Sequence, residues 1–234
     1  MKTYMPVIRL ALACLVVMPG LANAAKITAP AVPAGWLAVD ENVWNVLIRE
    51  PADHFLRARD EYEGGNAERA ADEMLHAVAF VMIEESRARD GDRERLDAVA
   101  TKLEEFAHEM RTARHTRDVP RDKLDAFFGQ ACHALTEHYQ QLARDARERH
   151  EKRALGVTLY AAAEYLAQAQ SWAHVVGDDR VIEQARSAAN QIIAGDELLP
   201  GAGHTALDQL AQQTLILRQD WLTKIDPIHK IGTD

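Results

Sequence analysis

Ten histidines and 36 carboxylates are the residues of this 234-residue chain best suited to chemistry, and that chemistry would be metal coordination. Two Glu-x-x-His pairs, Glu73–His76 and Glu105–His108, have the i,i+3 spacing used by di-iron carboxylate bundles, where both side chains project into the bundle core. At about 100° per residue, Glu105 and His108 lie opposite the apolar stripe Leu96, Val99, Leu103 and Phe106, and so belong in solvent. Di-iron bundles also take their paired motifs from alternate helices, whereas these fall on consecutive ones, so a ferritin-like centre is disfavoured. Glu73 and His76 also lie opposite their stripe (Ala67, Ala71, Met74, Val78), but the helix is apolar nearly all round from Ala77 to Ile83. It is expected to be buried on two sides, where the pair would bind a metal or hydrogen-bond across a helix interface.

His54 and His138, each followed by an aromatic residue, take equivalent places when the chain is shifted by 84 residues. If two copies of one unit pack about a pseudo-two-fold axis, the two imidazoles approach each other and would suit a shared transition metal, a b-type haem or a small-ligand cleft. Glu50 shares a helix face with His54, and Leu142 with His138. The simpler expectation is two boundary histidines, each donating to a carbonyl or carboxylate. The candidate metal ligands are therefore His54, His138, Glu73 and His76. The histidines at 115, 133, 150, 174, 204 and 229 are scattered, and Cys132 beside His133 is too poorly specified for a nucleophile–base pair. Met74, Met82 and Met110 read as core methionines. Gly201-Ala202-Gly203-His204-Thr205-Ala206 matches a dinucleotide fingerprint formally, but it follows no strand and reads as loop and helix cap. No catalytic residue is assigned.

The elements that must carry these side chains are helices throughout. Trp44, Leu47, Ile48, Pro51, Phe55, Ala58 and Tyr62 form one stripe, with a kink expected at Pro51, and Gly64-Gly65 ends that helix before Asn66 caps the next. The second helix runs to about Arg89, Asp90-Gly91-Asp92 makes a turn, and a third follows with Leu96, Leu103, Phe106 and Met110 on its core face. A fourth starts near Pro120 with Leu124, Phe127, Phe128, Ala131, Leu135 and Leu142 on one side. No segment alternates with a period of two, so no sheet is expected. From the fourth helix on, the pattern repeats: His54-Phe55 falls on His138-Tyr139, Glu68–Ala71 on Lys152–Leu155, and His76–Ala79 on Tyr160–Ala163. That register places Gly64-Gly65-Asn66 on Glu148-Arg149-His150, which predicts either a break near 150 or one long helix. A Gly/Pro-rich loop (Asp196 to Gly203), a helix over about Thr205–Thr223 and a polar tail after Pro227 complete the chain.

The first residues describe export. Lys2 and Arg9, an apolar run from Leu10 to Met18, and Ala22-Asn23-Ala24 make a cleavable signal peptide over 1–24, cut between Ala24 and Ala25. A lipoprotein anchored at Cys14 fits less well, because the apolar run continues past the supposed cut. The net charge of −9, made more negative by two when Lys2 and Arg9 are removed, opposes nucleic acid and anionic membranes. One cysteine, Cys132, remains after cleavage, so no internal disulfide is expected, and c-type haem attachment lacks its motif. The predicted organisation is a signal peptide (1–24), an extended Pro/Ala-rich segment (25–39), helical repeats over 40–118 and 119–195, and a loop, helix and tail (196–234). The expected protein is an all-α bundle of six to seven helices, soluble and periplasmic. It binds a protein partner or small ligand rather than catalysing a reaction, or else holds a metal or haem at the inter-repeat face. An apolar docking patch, if present, is expected around Trp172 or Trp221.

Overall fold

Seven helices and no strand account for the regular structure of the described residues, which are 48–112, 119–175, 177–195 and 202–229 of a computed structural model. They all belong to one unit, Asp40–Asp234. The predicted signal peptide and extended segment lie outside the described residues, as do the side chains at 90, 202, 204 and 220–229. The helices are α1 (Glu50–Glu63), α2 (Ala67–Arg87), α3 (Asp90–Thr112), α4 (Arg121–Glu148), α5 (Lys152–Trp172), α6 (Asp179–Ala194) and α7 (Ala202–His229). Each packs mainly on its chain neighbours, while α4 also touches α1 and α7. No described helix is long and apolar enough to cross a membrane.

Local chemistry sets the helix limits. Pro51 sits in the first turn of α1, where its missing N–H leaves no hydrogen bond broken, so the expected kink is instead a helix start. Three helices end on the same device. After α1, Gly65 N–H bonds to Tyr62 O and Asn66 N–H to Glu61 O. After α4, His150 bonds to Arg147 and Glu151 to Ala146, and after α5, His174 bonds to Ser171 and Val175 to Gln170. This pair of bonds is the Schellman closure, and it needs a left-handed residue between helix and exit. Gly65 (φ 84°) supplies it cheaply, whereas His150 (φ 57°) and His174 (φ 51°) adopt it despite their Cβ atoms. The break expected near residue 150 is therefore real, and the first and second closures stand 85 residues apart. Only Ala88 and Arg89 separate α2 from α3, so Gly91 and Asp92 open α3 rather than forming a turn. At the other end of the chain, α7 runs beyond the expected Thr223 and includes Pro227.

One continuous apolar core draws on all seven helices. Phe55 of α1 stacks on Phe128 of α4 (4.5 Å between ring centroids), and Phe128 meets the edge of Trp172 of α5 at 5.2 Å. Tyr139 and Tyr165 stack nearby at 5.6 Å, and the Tyr165 hydroxyl donates to Ile48 O. Burial pushes both phenols up, with the Glu84 charge adding to the effect. The predicted stripes of α3 and α4 face this core. The second buried face expected on α2 is incomplete: Phe80 and Val81 are buried, but Met82 is 53 % and Ile83 47 % exposed, so Met82 is no core methionine. Trp172 is buried and makes no exposed patch, and the side chain of Trp221 lies outside the described residues.

Candidate metal centre

The Gly64-Gly65-Asn66 turn folds α1 back on α2 as a helical hairpin, and that determines which residues face each other. His54 stands ten residues before Gly64 and His76 ten residues after Asn66, so both lie at nearly the same height along the hairpin. Glu73, one turn nearer the bend on α2, shares a face with His76. Three of the four expected ligands thus converge. One nitrogen from each of His54 and His76 and a Glu73 oxygen all lie within 4.8 Å of one another. The two imidazole rings are 5.0 Å apart, centroid to centroid.

A four-coordinate zinc ion with bonds of about 2.1 Å would space its ligand atoms by about 3.4 Å. His54 Nδ1 is already 2.7 Å from Glu73 Oε2, and the exposed His76 can swing in to close the remaining gap. Two neighbours frame the trio. Glu50 Oε2 lies 3.5 Å from His54 Nε2, one turn back on α1. Arg57 donates from Nε to Glu73 Oε2 at 3.0 Å and places Nη2 2.8 Å from His54 Nδ1. Partial desolvation raises the Glu73 pKa, but its hydrogen bonds with His54 and Arg57 and the guanidinium charge outweigh it and hold the carboxyl below its ordinary range. Glu73 is therefore an anion at neutral pH, as a ligand must be.

His138 is placed elsewhere. It is buried on α4 with Nε2 3.0 Å from Glu84 Oε2, and Glu84, fully enclosed on α2, also accepts from the Tyr139 hydroxyl at 2.9 Å and from Arg87 at 3.2 Å. Glu73 and Glu84, the partners of the two histidines, are eleven residues apart on α2, about 16 Å along its axis. The expected site shared by His54 and His138, whether for a metal or a haem, is therefore not formed. Instead, His138 makes the simpler contact, a hydrogen bond to a carboxylate across a helix interface. Its Nδ1 sits 3.9 Å from Asp92 Oδ2, close enough for charge attraction but too long for a hydrogen bond, and is buried without a hydrogen-bond partner. Burial disfavours the imidazolium, but Asp92 and Glu84 more than compensate, so the His138 pKa is raised.

The other sequence candidates separate as chemistry would sort them. Glu105 and His108 are exposed, as their position opposite the stripe requires. Cys132 is fully buried, and burial pushes its thiol up, so it is no thiolate nucleophile. His133 instead points Nε2 at Thr214 O of α7, 3.3 Å away. His174 lies 3.3 Å from Asp125, whose carboxyl is buried between it and Arg59 (3.6 Å), and desolvation there outweighs both partners and raises the Asp125 pKa. An open cleft of about 440 Å³ between the start of α6 and α7 includes Gln170, Asp178, Arg180 and Ile216. Its one charged pair, Asp178 with Arg180, closes on itself at 3.1 Å.

Arg57 and Glu84 are the functional neighbours that sequence reasoning did not single out. Counting outward from the Gly64-Gly65 turn is the signal that would have found the first, since it sets α1 residues 54–57 opposite α2 residues 73–76. No known family, no curated protein and no solved structure matches this chain.

Proposed function

We propose that this is a binding protein rather than an enzyme, and that its ligand is a divalent transition-metal ion held by His54, Glu73 and His76 at the α1–α2 hairpin. The observation that carries this is the convergence of three ligand atoms of the right chemistry within 4.8 Å. Two imidazoles and a carboxylate suit zinc or copper better than calcium or magnesium, which prefer all-oxygen shells. The exposed side of His76 leaves room for a water or a partner's side chain to complete the shell. Export to the periplasm belongs to the same proposal, and its support is the pattern from Lys2 to Ala24.

Calorimetric titration of the metal-free protein with zinc and with copper(II) tests the site. One equivalent of each is expected to bind, copper more tightly in keeping with the general order of divalent affinities. His54→Ala and His76→Ala should each abolish this binding, while His108→Ala, at an exposed histidine on α3, should leave it intact. Equal binding by the His54 and His76 variants and the native chain would remove the site.

A further inference from the structure

The atoms that would grip the metal are already bridged by a cation. Arg57 places one guanidinium nitrogen 3.0 Å from Glu73 Oε2 and another 2.8 Å from His54 Nδ1, while those two atoms stand 2.7 Å from each other. His54 Nδ1 cannot satisfy both contacts. If it carries a proton it donates to Glu73 and meets the Arg57 N–H as a second donor. If it is bare it accepts from Arg57 and faces a carboxylate lone pair. One close contact is mismatched in either tautomer, and the mismatch is relieved when Arg57 swings away or when a single cation takes the place of the guanidinium between the two lone pairs.

Resting on the metal-site reading above, we infer that Arg57 is an internal competitor that occupies the cation position of the site and must be expelled for a metal to enter. The guanidinium compensates the Glu73 charge. Its side chain is 48 % exposed, so it can leave for solvent without opening the core. On the same helix Asp53 and Glu61, at i−4 and i+4, are carboxylates within reach of the displaced group. Metal affinity is thereby set below what two imidazoles and a carboxylate would otherwise provide. This suits an ion that is taken up and handed on rather than kept as a structural part.

The test is zinc titration of native protein, Arg57→Gln and Arg57→Lys, with His76→Ala added to Arg57→Gln as the site control and thermal melts to confirm folding. Removing a partly exposed positive charge a few ångströms from the metal should tighten zinc binding by roughly tenfold, solvent screening holding the effect near that size. Arg57→Lys should fall between, because an ammonium keeps the charge but cannot bridge both atoms. Zinc binding by Arg57→Gln alone, with none by the native chain, would support the inference in its strongest form. Binding by the native chain that depends on His54 and His76 but is unchanged or weakened in Arg57→Gln would overturn the competitor role and leave the metal site standing. Absence of binding in both native and Arg57→Gln proteins would overturn the metal site and the competitor role together.

Discussion

A carboxylate without solvent contact is costly unless its lone pairs are met, and at Glu84 they are met by Tyr139, His138 and Arg87. These contacts tie α2 to α4, so truncation harms more than it removes. Glu84→Ala should lower stability by about 3 kcal/mol, read from urea denaturation, since it strands the Tyr139 hydroxyl and the His138 nitrogen in the core. The pH dependence follows from His138, which faces Glu84, Asp92 and Tyr139 with Arg87 close behind. Its pKa is raised above 6.5, so the native chain binds this proton more tightly than the unfolded chain does. That stability is fully present below about pH 6.5 and is lost as pH rises through the folded value. Melting temperature measured across the range above pH 6.5 should fall, and His138→Gln should flatten that part of the profile. A native profile with no slope there would refute the assignment. His54, Glu73 and His76 were legible in the sequence as candidate ligands. The partner of His138 was not, because an 84-residue shift set it against His54. The turns themselves recur after 85 residues, which aligns His54 with Tyr139, and one residue turns a helix face by about 100°.

Helix ends explain most of what was and was not legible in the elements. Glycine marks the stops of α1 and α6, with Gly65 and Gly195 both at positive φ. The stops of α4 and α5 carry histidine in the same left-handed conformation, and nothing in residue type announces a histidine as a helix terminator. His150→Gly should therefore raise stability by about 0.5–1 kcal/mol, because the left-handed strain it relieves exceeds the chain entropy glycine adds. Paired chemical denaturation curves measure this directly. A loss of stability would mean that the His150 side chain makes compensating contacts in solution. The exposed Met82 and Ile83 show the converse limit: an all-round apolar helix is expected to be wrapped, yet the second wall ends before the last turn of α2.

For the molecule as a whole, a single core spans the described residues, with Phe128 at the junction of α1, α4 and α5. Thermal unfolding is expected to be one cooperative transition, identical by far-ultraviolet circular dichroism and tyrosine fluorescence. Phe128→Ala should shift it to lower temperature by the equivalent of about 3–5 kcal/mol without splitting it. Two resolved transitions would show that the α1–α3 and α4–α6 portions fold independently. The sequence alone determined the helical class, the core stripes of α3 and α4, the solvent placement of Glu105 and His108, and the hairpin turn at Gly64-Gly65. Those are properties of periodicity and backbone chemistry, which act over a few residues. Only the tertiary structure decided that His54 meets Glu73 while His138 meets Glu84. Which side chains touch depends on helix register and rotation, which a shift of one residue changes by about 100° and which no local pattern records.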